Sequence, residues 1–315
     1  MHRLIQAVAL DHLAEPDREQ HITKAVELMV ELFPYDTQPD QWPQCAQLLA
    51  HAQTLIDHAR AVEAKRIRRQ DAGQDPKLPR LVTSVGIYLH SRGLDSRLAR
   101  QMHEQALFMY QQLYEGDHPD MAHCLVWLAI DLREAGEHER ARDVDEQALA
   151  TRQRLYRGDQ SDVAMSLNSL AIDLRQLGQH ERSRELAERA LAMRQRLYQG
   201  DHRDVAMSLN NLAVGLRQLG AHVRARQLDE QALAMRQRLY QGDHPEVAIS
   251  LSNVAVGLRE IEEYRRAREL DEQALAMRQR LYRGDHRNVA MSLNNVSRPW
   301  RCGSGCTNAI TLTWL

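Results

Sequence analysis

Apolar and polar residues alternate along most of this chain with the period of an α-helix. In 162–176, "DVAMSLNSLAIDLRQ", Val163, Leu167, Leu170, Ala171 and Leu174 fall on one face. A second run, 180–198, "HERSRELAERALAMRQRLY", places Leu186, Ala190, Leu191, Met193 and Leu197 on another. Gly178 stands between them, where a helix ends most easily on a left-handed residue, and Gly136 and Gly220 hold the same place in the flanking segments. The pattern predicts antiparallel helix pairs. Neither helix can hide its stripe alone, so successive pairs must stack into a right-handed superhelix with a concave inner face.

The pairs are copies of one another. "LAMRQRLY" occurs at 191–198, 233–240 and 275–282, a spacing of 42 residues. Units in register begin at Leu113, Leu155, Leu197 and Leu239; a fifth begins at Leu281 and breaks off after Val296, and 81–112 is a diverged copy. Pro119 and Pro245 follow "GDH" turns at the opening of first helices, where a missing N–H costs nothing. Ala129, Ala171, Ala213 and Ala255 share one first-helix position. Ala141, Ser183, Ala225 and Ala267 share one in the second helix, and Ala148, Ala190, Ala232 and Ala274 another. Side chains this small let helix axes approach to about 8 Å.

These small and large positions resemble the tetratricopeptide repeat (TPR), specifically its 42-residue kinesin-light-chain type, over 81–296. The expected fold class is therefore all-α, a right-handed superhelical solenoid of antiparallel helix pairs with a small helical N-terminal segment. One departure stands out. Where the family carries an aromatic four residues after the second-helix Ala, this chain has Asp145, Ala187, Asp229 and Asp271.

Composition agrees with helices: aromatics make up 5% and the formal net charge is −2. No global field argues for nucleic acid or a membrane surface, and no apolar stretch of about 20 residues exists to span a bilayer. Cys45 and Cys124 sit alone in helical context and read as buried small hydrophobes, so a reducing cytoplasm is expected.

Residues 1–79 are not repeat sequence. They read as helical, with a loop at 34–43 and a linker at 71–79. They resemble the end of the winged-helix segment in bacterial NB-ARC signalling NTPases, in which a Met-His pair approaches the nucleotide; Met1 and His2 match that pair. No G-x-x-x-x-G-K-[ST] loop occurs to cradle phosphates, so no nucleotide site and no cofactor is expected. Neither a nucleophile elbow nor H-E-x-x-H is present, and the chain does not read as an enzyme.

The segment 297–315 breaks the pattern. Cys302 and Cys306 invite a metal reading, but a four-ligand site needs two more partners. All nineteen residues from Ser297 to Leu315 can be decoded as repeat codons read one base late, so this tail is expected to be frameshifted and disordered. It would leave the last hairpin unfinished and the stack uncapped, which raises self-association through that end.

Function is expected on the groove lined by first helices. Asn168, Asn210 and Asn294 share one position there, with Ser252 and Val126 interrupting; the next position holds Ser169, Asn211, Asn253 and Asn295. An Asn amide can pair with both backbone groups of an extended peptide. Kinesin-light-chain repeats are similar in using such a ladder, and the resemblance assigns it to the first position. Arg133, Arg175, Arg217 and Arg259 follow along the same groove and favour an acidic segment. The histidines of the "GDH" turns read as solvated, and the Glu/Arg-rich second helices as a solvated face with i,i+4 pairs such as Arg142/Glu146 and Arg226/Glu230. The domains are thus 1–79, 80–296 and 297–315. The function they imply is a protein-interaction scaffold for a peptide or protein, the alternative being a non-functional fragment of an NB-ARC/TPR protein.

Overall fold

The computed structural model describes residues 14–33, 41–69, 76–282 and 287–297. All thirteen regular elements among them are α-helices. Two precede the repeats: α1 (Glu15–Leu32) and α2 (Trp42–Arg69). Five hairpins follow: α3 (Lys77–Ser91) with α4 (Ser96–Leu113), α5 (Pro119–Glu134) with α6 (His138–Leu155), α7 (Ser161–Gln176) with α8 (His180–Leu197), α9 (Arg203–Gln218) with α10 (His222–Leu239), and α11 (Pro245–Glu260) with α12 (Tyr264–Leu281). The last described element is a further first helix, α13 (Arg287–Ser297).

The chain divides into two compact units, Met1–Arg157 and Gly158–Leu315. In the first unit α1 and α2 share a core with the leading hairpins: Ile22, Val26, Cys45 and Ile56 join Leu81, Val85, Tyr110 and Leu125. The N-terminal helices are therefore part of the packed unit. Helix α3 already begins at Lys77, within the expected linker, and Trp42 opens α2 within the expected loop.

In the second unit each second helix packs on its own first helix and on the first helix of the next hairpin. Leu209, Leu212, Ala213 and Leu216 of α9 close on Ala225 and Ala232 of α10. First helices of successive hairpins also touch, α7 with α9 and α9 with α11, so the stack is tighter on that side.

The turns are more ordered than their composition suggests. Gly136, Gly178 and Gly220 end first helices at φ +79, +75 and +75°, and Glu262 holds the corresponding place at φ +65°. At the other turn, His118, His202 and His244 are N-caps: each Nδ1 accepts the N–H two residues on, at 3.2 Å. Each ring also stacks on the tyrosine ending the preceding helix, 3.5–3.7 Å from Tyr114, Tyr198 and Tyr240. The expectation of solvated turn histidines is corrected, because a flat aromatic surface and an orphan helix N–H meet there. Asp117, Asp159, Asp201 and Asp243 of the turns each accept a two-pronged bond from Arg154, Arg196, Arg238 and Arg280 at the end of the same repeat. The arginine bonds hold these four carboxyls below the usual range.

Candidate functional site

Each first helix of the second unit has a buried side and an outward side, and the two Asn positions fall on different ones. Asn168 and Asn210 are buried. Asn168 Nδ2 donates to Ser208 Oγ at 2.9 Å. Asn210 Nδ2 donates to Asp229 Oδ1 at 2.8 Å, while its Oδ1 accepts from Arg236 Nη1 at 2.5 Å. Ser252, at the same position, bonds back to the carbonyl of Ala248 at 3.2 Å. The two asparagines tie helices together and Ser252 is satisfied within its own, so the ladder expected at this position is engaged within the protein; at this position only Asn294 of α13 is exposed.

The neighbouring position faces outward. Asn211 and Asn253 are half-buried, as is Asn295, whereas Ser169 is buried. Four residues before them stand Met207 and Ile249, 38% and 41% exposed. Three residues after them stand the half-buried Val214 and Val256. The face therefore reads apolar, amide, apolar along α9 and again along α11. On α5, in the first unit, the same three positions carry His123, Trp127 and Ile130, and Trp127 Nε1 donates to His123 Nε2 at 3.1 Å.

Arg133, Arg217 and Arg259 of the groove are already closed on carboxylates. Arg133 Nη2 lies 2.9 Å from Asp145 Oδ2, and Arg217 and Arg259 pair in the same way with Asp229 and Asp271. The acids that replace the family's aromatic are thus buried counter-ions for an arginine twelve residues earlier. Burial pushes the Asp229 carboxyl up, against the pull of the Arg217 charge and the Asn210 bond. In α8 this position holds Ala187 in place of an acid, and it joins the hydrophobic core instead.

The second helices are not uniformly solvated. Arg194, Arg236 and Arg278 are buried and reach the next repeat's first helix. Arg194 Nη1 donates to Ser208 Oγ at 2.8 Å and to the carbonyl of Asp204 at 3.0 Å. Arg236 bridges Asn210 behind it to Ser250 Oγ ahead at 2.6 Å, with Glu246 at 2.9 Å. Arg278 donates to Ser292. Burial lowers the pKa of all three. The signal was in the sequence, as an arginine and a serine fourteen residues apart in every unit. Of the two expected i,i+4 pairs, Arg226–Glu230 forms at 3.6 Å, while Arg142 turns to Asp143 at 2.5 Å.

Among the described residues no three His, Cys, Asp or Glu side chains gather to hold a metal, and no helix is long and apolar enough to cross a membrane. Cys45 and Cys124 are buried free thiols, and burial pushes Cys124 up to about 12. The readings placed on Met1, His2, His286, Cys302, Cys306 and the tail beyond Ser297 lie outside the described residues.

The tetratricopeptide repeat profile matches residues 89–154, 162–238 and 204–280, more than half of the chain. Among solved structures the chain resembles nearly identical TPR-like repeats from Podosopora anserina described as a kinesin light chain (22% identity, 67% of this chain and 100% of that one, TM-score 0.55). It also resembles BtubC (BKLC) from P. vanneervenii (24% identity, 77% and 94% covered, TM-score 0.59). A Rap protein complexed with competence and sporulation factor shares the fold more distantly (14% identity, 89% and 78% covered, TM-score 0.51). At these identities the likeness is one of fold. No curated protein matches the chain.

Proposed function

From the premise that the chain belongs to the tetratricopeptide-repeat family, we propose that it is a protein-interaction scaffold binding an extended peptide or protein segment along the first-helix face of its second unit. The observation that carries this reading is the repetition of an unengaged amide between apolar residues, Met207–Asn211–Val214 and then Ile249–Asn253–Val256. An extended strand laid across α9 and α11 can give each amide a backbone donor and acceptor, and seat a side chain against each Met or Ile. Backbone bonds at about 1 kcal/mol each and one or two apolar anchors at ~2 kcal/mol, less ordering costs, give roughly micromolar affinity. The acidic preference expected of the arginines carries little weight, because Arg133, Arg217 and Arg259 already pair with Asp145, Asp229 and Asp271, so the weight falls on the amide and apolar positions.

The test is selection of peptides from a displayed library on the full chain, with affinities then measured by titration. Peptides that bind should lose at least tenfold in affinity when Asn211 and Asn253 are both changed to Ala, and again when Met207 and Ile249 are. Undiminished binding to both double variants would remove the assignment.

A further inference from the structure

Helix α13 exposes a face that every earlier first helix of its unit buries. Ala290, Leu293, Asn294 and Ser297 lie at i, i+3, i+4 and i+7, on one side of the helix, and all four are exposed. Their counterparts in α7, α9 and α11 are buried without exception. Leu293 is 44% exposed, against 3% for Leu251, 3% for Leu209 and 0% for Leu167. The opposite side of α13 is occupied, since Ser292 is buried and accepts from Arg278 of α12.

The earlier repeats show what covers this face. In α9, Leu209 and Ala213 share a core with Ala225 and Ala232 of the following helix. Between them Asn210 donates to Asp229 and accepts from Arg236. In α11, Leu251 packs with Ala274, and Ala255 with Ala267. The covering helix therefore carries Ala, Asp, Ala and Arg at i, i+4, i+7 and i+11, as 225/229/232/236 and 267/271/274/278 do. The alanines allow close approach over a leucine, and the Asp and Arg satisfy the amide.

We infer that α13 is half of a hairpin that accepts its second helix in trans: its ligand is a separate amphipathic helix bearing Ala-x3-Asp-x2-Ala-x3-Arg. Leu293 and Ser297 meet the two alanines, and Asn294 meets the Asp and the Arg. A second copy of the chain is a poorer occupant, because its own helices of this type are already packed between first helices. The site is separate from the outward face of α9 and α11 and does not depend on peptide binding there.

A fluorescein-labelled peptide with the sequence of residues 264–281 tests this by anisotropy against the full chain. An isolated helix of that length is marginal in water, so it should gain helicity as it binds. Saturable binding is expected, weakened at least tenfold by Leu293→Asp in the chain and by Asp271→Ala or Ala274→Trp in the peptide. Leu293 is exposed, so the chain variant should keep its circular dichroism. Absent binding, or equal binding to Leu293→Asp, overturns the inference. So does sedimentation showing a self-associating chain that Leu293→Asp makes monomeric, which would give the face to a second copy.

Discussion

His103 Nδ1 lies 2.5 Å from Asp131 Oδ2, and both side chains are fully buried. The other oxygen of that carboxylate, Oδ1, lies 2.8 Å from Nδ1 of His90, whose Nε2 points at Glu134 from 3.7 Å. Three helices, α3, α4 and α5, thus converge on one carboxylate. Trp127 covers the group, stacked on His103 with ring centres 6.3 Å apart and edge-on to His90 at 5.5 Å.

This cluster gives the first unit a signed pH dependence. The Asp131 bond raises the pKa of His90, with Glu134 adding to it against burial. Burial pushes Asp131 up, but its bonds to both histidines outweigh that and hold it below the usual carboxylate range. The stability from His90 is complete below the ordinary histidine value of about 6.5 and is lost as pH rises through its elevated folded value. The Asp131 contribution is present above the ordinary carboxylate value and is lost as pH falls through its depressed one. Amide protection factors in α3–α5, exchange rates corrected for the intrinsic pH dependence, should therefore rise on going from about pH 8 to pH 6, and His90→Gln should flatten that slope.

Gly86 of α3 makes room for His103. A Cβ placed there would come within 2.6 Å of His103 Nε2, and the ring cannot retreat while Asp131 holds its far side. Gly→Ala in a helix ordinarily stabilises by nearly 1 kcal/mol. Here the clash should reverse the sign, and Gly86→Ala should lower stability by about 1–3 kcal/mol in chemical denaturation.

The second unit should respond to acid in the opposite direction. His244 caps α11 by accepting the Glu246 N–H at Nδ1, a role that requires an unprotonated nitrogen. Burial against its surroundings lowers its pKa. A depressed histidine supplies stability that is present above the ordinary value and is lost as pH falls through the folded one. Protection factors in α11, exchange rates corrected for the intrinsic pH dependence, should fall below about pH 6, while those in α3–α5 rise. His244→Ala should cost about 1 kcal/mol, the worth of a cap, and remove the acid response.

Hairpins were legible in the sequence because a helical period repeated at a fixed spacing leaves no other way to bury Leu167 or Leu209. The interior polar network was not. Asn210 and Asn211 are adjacent, hence about 100° apart on the helix, and both are polar, so only the position of Asp229 and Arg236 decides which faces inward. Arg194 and Arg196 stand two residues apart in one "MRQR" stretch. The first is buried against Ser208 while the second is exposed and clamps Asp159. Asp229 stood out in the sequence only as a departure from the family's aromatic; its meaning lies in Arg217, on the other helix of the pair.

Glu262 breaks the glycine rule of its own repeats. Its counterparts Gly136, Gly178 and Gly220 adopt positive φ freely, whereas a residue with a Cβ at φ +65° carries roughly 1 kcal/mol or more of strain. The side chain is exposed, so nothing is lost by removing it. Glu262→Gly should raise the stability of the α11/α12 hairpin by about 1 kcal/mol, read as slower amide exchange in both helices.

Arg236 couples one repeat to the next through a single planar group. Its guanidinium holds Asn210 of its own hairpin and Ser250 and Glu246 of the following one, within a nearly dry interior. Lysine carries the charge but not the fork, so it cannot reach both sides at once. Arg236→Lys and Arg236→Met should each destabilise the second unit by about 3 kcal/mol, since either leaves the Asn210 side-chain oxygen and the Ser250 hydroxyl short of a buried partner. The diagnostic readout is cooperativity. In a stack held by nearest-neighbour interfaces, losing one interface lets α11–α13 unfold before α7–α10. Urea unfolding followed by amide exchange should show two transitions in either variant where the parent shows one. A single transition shifted as a whole would mean that alanine packing, rather than the arginine, carries the coupling.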